Sequence, residues 1–379
     1  MRRIYLDYNA TTPIAPSVVE AMQPFFAQHF GNPSSTHSLG RATQQAIEDA
    51  RAEVAELLGA WPDEIVFTSG GSESNNLALK GTLLGDADVQ RHHLIISSIE
   101  HPAIAKPADY LRKLGCQLSV CPCDARGVVS ASDVAALIQT NTVLVSIMHA
   151  NNEVGTVQPI REISDLCRQH GIRLHTDAAQ STGKITTHVN ELGVDLLTVA
   201  GHKLYAPKGV GVLYIRRGIT LEPLIHGAGH EQGMRAGTEN VPYMVGIGAA
   251  SRLARRSLAE TSKRLAELRD QLRTTLRESV GPRLTINGDG AGLLPNTLSV
   301  NFPDVHGHEL LARIPELCAS TGAACHSGDS ALSATLVAMG LDADQTRGTV
   351  RLSVGWQTSK DEIEKAASLL IGAWEALRR

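Results

Sequence analysis

The sequence predicts an α/β protein: a large, mainly parallel β-sheet covered by helices on both faces, followed by a smaller domain. Three observations predict it. Apolar, β-branched runs alternate with helically patterned segments in HLIISSI, HPAIAKPADYLRKLG, CQLSVCP, ASDVAALIQ, TVLVSIM, ISDLCRQHG and IRLHT, the rhythm of strands joined by crossover helices. At 379 residues the chain exceeds the usual size of one domain. Apolar residues make up 42 %, enough for a core and clear of a disordered composition.

Taken in order, residues 1–14 read as an extended segment, and APSVVEAMQPFFAQHF carries a helical pattern. GNPSSTHSLG, Gly31–Gly40, breaks the chain with turn formers, after which RATQQAIEDARAEVAELLGA is again helical. DEIVFTSGG is a strand running into glycines, followed by the helical ESNNLALKGTL. A strand, a glycine turn and a helix start set backbone N–H groups and a hydroxyl where a phosphate is well received, which makes Gly71 and Ser72 phosphate candidates; a plain helix cap explains the turn as well. Beyond the alternating region, DLLTVAG and GVGVLYIRR are strands flanking AGHKLYAPKG, Ala200–Gly209. Val241–Val280 is a long helix whose charged stripe is a solvated face. RLTINGD, TLSVNFP, HGHELLARIPELCAST and TVRLSVG then supply a smaller α+β unit closed by the helix DEIEKAASLLIGAWEALRR. The expected division is an N-terminal segment, 1–14, packing with the small domain; a large cofactor-binding domain, 15–255; and a small domain, 256–379, carrying a cysteine loop.

Lys203 lies on a tight turn between two strands, where desolvation and a neighbouring cation such as His202 or Lys208 ease proton loss, and a neutral amine condenses with an aldehyde. A solvated loop lysine is the plainer alternative. Asp177 stands at the end of the strand IRLH, 26 residues before Lys203; open α/β sheets keep their chemistry at such strand ends. A carboxylate there suits the ring nitrogen of pyridoxal phosphate, and a helix N-cap is its alternative reading. His101 follows a strand, where an imidazole can lie over a flat cofactor and move protons, although a structural role fits any one of the 15 histidines. Cys325 sits on the small, glycine-flanked loop GAACHSG, with His326 beside it; a thiolate there is a strong nucleophile, and inert packing is the alternative.

A net charge of −4 offers no basic field for nucleic acid and no polybasic membrane patch. No stretch has the apolar length of a signal peptide or a membrane-spanning helix, so a soluble cytoplasmic protein is expected. Six cysteines without framework spacing point to reduced thiols. Cys121-Pro-Cys123, with Cys116 nearby, lacks a second pair at zinc-ligand spacing, so no metal is expected, and Cys116, Cys121 and Cys167 read as packing residues.

TSGGSESNN, EHPA, NNEVG, DAAQ, GHK, GTEN and GAACHSG occur in that order, and from LDYNATTP to VRLSVGWQTS nearly the whole chain resembles the NifS/IscS-like cysteine desulfurases of the class V aminotransferase family. The resemblance implies fold type I with a seven-stranded sheet, pyridoxal 5'-phosphate bound through Lys203, and L-cysteine converted to L-alanine with its sulfur captured as a persulfide on Cys325. His101 would stack on the cofactor and act in acid–base steps, while Asn152 and Gln180 would contact substrate or cofactor, Gln180 at the phenolic oxygen. His202 and Thr238 would complete the phosphate site, the threonine coming from the second subunit of a homodimer, and Arg351 would hold the substrate carboxylate. The sulfur would pass to an acceptor protein. In one departure, Ala200 occupies a place where many relatives carry a serine, which removes a phosphate contact. Selenocysteine lyase, with L-selenocysteine as substrate, shares DYNATTP and GAACHS. An ordinary aminotransferase and a non-catalytic sulfur-assembly scaffold are the more distant alternatives.

Overall fold

The computed structural model describes residues 3–85, 89–321 and 333–378; Cys325 and His326 lie outside the described residues. The chain opens with β1 (Ile4–Tyr5), α1 (Pro16–Met22), α2 (Pro24–Ala27) and α3 (Ser38–Leu58). There follow β2 (Ile65–Thr68), α4 (Gly71–Leu83), β3 (His93–Ser97), α5 (Pro102–Lys113), β4 (Gln117–Cys121), α6 (Ala131–Leu137) and β5 (Thr142–Ser146). Next come α7 (Ile160–Gln169), β6 (Arg173–Asp177), α8 (Val189–Leu192), β7 (Leu196–Ala200), β8 (Gly211–Ile215) and α9 (Val241–Val280). The remainder is β9 (Thr285–Ile286), β10 (Thr297–Asn301), α10 (Gly307–Ala312), β11 (Leu317–Cys318), α11 (Ala334–Ala338), α12 (Ala343–Thr346), β12 (Thr349–Ser353) and α13 (Lys360–Leu377).

The large sheet has seven strands in the order β2-β8-β7-β6-β5-β3-β4. From β4 to β7 every pairing is parallel, and β8 runs antiparallel to both β7 and β2. Strands buried on both faces read as continuous apolar runs rather than alternating ones, as β3 and β7 do here. In the second unit, β10 pairs antiparallel with β12 and β9, and β1 pairs in parallel with β11, so the N-terminal segment inserts Ile4 and Leu6 into the second core.

Helix α9, 40 residues and roughly 60 Å long at 1.5 Å per residue, serves both cores. Its first half, through Ala254, packs with Ile47 and Val54 of α3; its second half, from Leu265, packs with Leu298, Leu352 and Ile363. A Cβ on Gly248 would fall 2.6 Å from the Cβ of Ala50, so a glycine is what lets α3 and α9 approach this closely.

Several elements differ from the sequence reading. The first helical pattern is split at Pro24, which has no N–H to continue α1 and instead occupies the first turn of α2. α3 begins inside the Gly31–Gly40 loop because the His37 side chain caps it, accepting from the Gly40 N–H. The strand β11 is only two residues long and exists through its pairing with β1, so no periodicity announces it. Cys116, Cys121 and Cys167 are buried in apolar clusters, and burial pushes their thiols up to about 11, 12 and 12.

One buried ion pair fastens the loop after β8 to the sheet. Arg51 Nη1 and Nη2 donate to Glu231 Oε2 and Oε1 at 2.8 Å each, Nη1 also donates to the Ile65 carbonyl, and the Phe67 N–H donates to Glu231 Oε2 at 2.7 Å. Glu231 and Gln232 both sit at positive φ, 47° and 58°, a cost this pairing holds in place. Removing one member strands the other charge, so Glu231→Ala should lower the unfolding free energy by about 3–5 kcal/mol. The double variant Arg51→Met/Glu231→Leu should recover most of that loss. Urea denaturation of the three proteins checks this; an unchanged Glu231→Ala midpoint would show that the pair does not anchor the loop.

Candidate active site

A cavity of about 550 Å³ opens where the chain leaves β2, β3, β5, β6 and β7, at the carboxyl-terminal edge of the parallel strands and against the start of α4. Gly71, Ser72, His101, Asn152, Asp177, Gln180, His202 and Lys203 all line it, so segments far apart in sequence converge on one space. Thr238 is exposed and does not line it, and Arg351 stands behind Asn152 rather than on its wall. Cys325 lies outside the described residues.

Local backbone geometry explains the cradle at α4. Gly70 adopts φ 148°, and no side chain among the described residues caps the helix start, which leaves its first turn open to the cavity. A Cβ on Gly211 would come within 2.6 Å of Gly70, so the glycine at the head of β8 admits this turn beside the sheet. Ala200 also lines the cavity, and its Cβ lies 3.2 Å from where a Cβ on Gly71 would stand.

Lys203 closes a single 3-10 turn, Gly201–Lys203, between β7 and β8. Its charge acts on its neighbours: burial and then Lys203 lower the His202 imidazole to about 4, and the same two causes lower His101. Both rings are therefore neutral near pH 7. His101 caps α5, its Nδ1 accepting from the Ala103 N–H at 3.1 Å, so the proton of the neutral ring is on Nε2. Asp177 closes β6 and is buried; its Oδ2 accepts from Asn75 Nδ2 at 2.7 Å and its Oδ1 from the Ala179 N–H at 2.9 Å. Gln180 Nε2 donates to the Asn9 carbonyl at 3.0 Å.

These residues suit pyridoxal phosphate on an observation independent of any resemblance. Gln180 Oε1 and Asn75 Oδ1 are buried polar atoms at the cavity with no hydrogen-bond partner among the described residues, and buried polar atoms of this kind signal a missing ligand or solvent partner. The open helix start, Ser72, His202 and Lys208 form a donor set for a phosphate, while Asp177 offers a carboxylate to a protonated ring nitrogen.

Several residues escaped the sequence reading. Glu100, beside His101, holds its Oε1 against Ser97 Oγ and the Met148 N–H at 2.6 and 2.8 Å, and its Oε2 is buried with no hydrogen-bond partner among the described residues. Lys184 is buried and donates through Nζ to the Gln180 carbonyl at 2.7 Å; burial and then Lys203 lower it to about 7. Asp7 binds Arg351, and Asn75 binds Asp177. The only signal for Glu100 was its position directly before His101, and nothing in EHPA tells a buried carboxylate from an exposed one.

Residues 4–366 match the profile of the aminotransferase class-V family. Cysteine desulfurase IscS of Dictyoglomus turgidum is 42 % identical over 379 residues, 100 % of this chain and 96 % of that protein. Among solved structures, a NifS-like protein superposes with a TM-score of 0.91 at 36 % identity over 99 % of each chain. SspA in complex with cysteine superposes with a TM-score of 0.83 at 38 % identity, over 92 % of this chain and 98 % of that one.

Burial, with Asp177 adding its charge, pushes the Glu100 carboxyl up to about 8 from an ordinary 4.5, so the folded protein binds a proton there that the unfolded chain releases. Its stabilising effect is therefore complete below 4.5 and is lost as pH rises through 8. Glu100→Gln mimics the protonated form, so its stability relative to the parent should rise by up to about 1.4 kcal/mol per pH unit across that window and level off above it. Denaturation at several pH values measures the gap, and a gap independent of pH would mean that Glu100 is ionised in the folded protein.

Proposed function

We propose how this site works from one premise: the chain belongs to the aminotransferase class-V family and is a pyridoxal-phosphate-dependent cysteine desulfurase, with the fold type I architecture of its structural relatives. The observation that supports the residue assignment is the convergence of Lys203, Asp177, His101 and Gln180 on one cavity.

In the proposed reaction, L-cysteine and the Cys325 thiol become L-alanine and a Cys325 persulfide. The substrate Cβ–S bond breaks, an S–S bond forms at Cys325, and a proton ends on Cβ, so atoms and electrons balance without an external oxidant or reductant. Bound pyridoxal phosphate supplies the electron sink that makes loss of the substrate α-proton feasible.

The chain's own residues do the rest. Gly71, Ser72 and His202 would hold the phosphate, with Thr238 of a second subunit completing the site if the protein is a homodimer; Ala200 adds no hydroxyl to it. Asp177, fixed by Asn75 and the Ala179 N–H, would keep the cofactor ring nitrogen protonated. Lys203 Nζ would be the covalent attachment point for the cofactor and, when its amine is free, the base at the substrate α-carbon. That second role falls to Lys203 because His101 uses Nδ1 as a helix cap and has only a donor, Nε2–H, to offer. His101 would therefore stack and donate, while Gln180 and Asn152 would orient cofactor and substrate, and Arg351 would take the substrate carboxylate. The described residues that flank the Cys325 segment support its assignment: Ser320 pairs with Arg351 in an isolated bridge, and Ser333 bonds Glu153, next to Asn152. We take the persulfide to pass to a sulfur-acceptor protein, in the cytoplasm, within a pathway of cluster assembly or thiolation.

Cys325→Ser should keep the cofactor absorbance and its change on adding cysteine while lowering alanine and sulfide production at least about a thousandfold, since a hydroxyl does not replace a thiolate nucleophile. Lys203→Ala should lose the parent absorbance band. Mass spectrometry of the parent protein after brief exposure to cysteine should place added sulfur on Cys325. Desulfuration by Cys325→Ser at the parent rate would remove the assigned nucleophile.

A further inference from the structure

The N-terminal segment Leu6–Thr12 touches the site at successive residues. The Asn9 carbonyl accepts from Gln180 Nε2, Asn9 Nδ2 donates to the Asn152 carbonyl at 3.2 Å, and the Thr12 N–H and hydroxyl both donate to the His202 carbonyl at 2.9 and 3.1 Å. One of these contacts carries charge. Arg351, 3 % exposed on β12, donates from Nη2 to Asp7 Oδ1 at 2.8 Å and from Nη1 to the Asn152 carbonyl at 2.9 Å, and its Nε is buried with no partner among the described residues. The Tyr5 hydroxyl braces the segment, its one proton shared between the carbonyls of Thr11 and Asp7 at 2.9 and 3.1 Å.

We propose that Asp7 is a positioning residue that fixes the plane of the Arg351 guanidinium and restrains its affinity for carboxylates, so that the amino-acid product is released. The inference rests on the reading of Arg351 as the partner of the substrate carboxylate. An arginine this buried needs a counter-charge when no ligand is present, and Asp7 supplies it within hydrogen-bond distance. A carboxylate arriving at Arg351 thus meets a cation already paired, with a like charge beside it, and its attraction is weakened.

This restraint costs the chemical step nothing. Cysteine and alanine carry the same carboxylate and differ only at Cβ, so any gain in affinity at Arg351 stabilises substrate and product equally. Such uniform binding does not lower the barrier from bound substrate, and it delays departure of the product. Asn152, which already accepts from Nη1, keeps the guanidinium oriented when a ligand carboxylate competes with Asp7 for the remaining N–H groups.

The test uses the holoenzyme and its Asp7→Asn, Asp7→Glu and Arg351→Gln variants. L-alanine is titrated against the cofactor absorbance, and kcat and KM are measured with L-cysteine. Asp7→Asn keeps an acceptor for Nη2 but loses the charge, so its Kd for alanine should fall at least about fivefold, with KM for cysteine falling in parallel and kcat not rising. Asp7→Glu should return both constants towards the parent values. Cysteamine, which has no carboxylate, should bind the parent and Asp7→Asn alike, a distinction that loss of structure would not produce. If Asp7→Asn does not yield folded holoenzyme, Asp7→Ser, whose hydroxyl also accepts from Nη2, carries the same expectation. Alanine bound by the charge-removed variant no more tightly than by the parent overturns the proposal for Asp7. Alanine bound by Arg351→Gln as tightly as by the parent overturns instead the assignment of Arg351 on which it rests.

Discussion

The site depends on crowding positive charge around one buried carboxylate. Lys203, Lys208 and His202 come from the β7–β8 turn, His101 from the start of α5, and buried Lys184 from the turn after β6. Asp177 is the buried carboxylate on the cavity wall that it shares with Lys203, Lys208, His202 and His101, and Lys184 lies behind that wall against the Gln180 carbonyl. Burial first, and then the charge of Lys203, weaken proton binding at this crowded site: His202 is held near 4, His101 is lowered and Lys184 is brought to about 7. What remains is a pocket that welcomes an anion, holds its imidazoles neutral, and has a carboxylate for a cationic ring. A dianionic phosphate on a protonated pyridine is the kind of ligand that answers each of these demands.

The charges stay in register because uncharged groups hold the surrounding backbone. Asn9 joins three parts of the molecule, donating to Thr297 Oγ1 at 2.8 Å, accepting from Asn296 Nδ2 at 2.9 Å, and offering its carbonyl to Gln180. A second buried amide cluster, Asn287 with Ser299 and Asn301, sits farther along β10. A network satisfied on so many sides is costly to disturb, and it sets the small sheet against the cavity, while α9, shared by both cores, ties the two units along its length.

Much of this was legible in the sequence. The strands β3, β5, β6 and β7 announce themselves as short apolar runs between helical patterns, because a parallel strand covered on both faces has no polar side to show. The short strand β11 and the break at Pro24 were less visible, the one because it exists through pairing with β1, the other because the apolar spacing continues across it. At the site, Lys203, Asp177, His101 and Gln180 stood out from their places after strands and from the order of their motifs. Lys184 and Glu100 did not, since a charged residue in a string of letters does not declare whether water reaches it.

The sequence by itself determined the class of fold, the strand ends that converge on one cavity, and the residue types assembled there, because each depends on local periodicity and on neighbours along the chain. Only the tertiary structure decided which charges are buried and what each one faces. Asp7 meets Arg351 across 344 positions, and Asn75 meets Asp177 across 102. Such pairings are made when distant strands close against one another and exclude water, and desolvation, which raises Glu100 and lowers His202 and Lys184, is a property of that closed surface rather than of any stretch of chain.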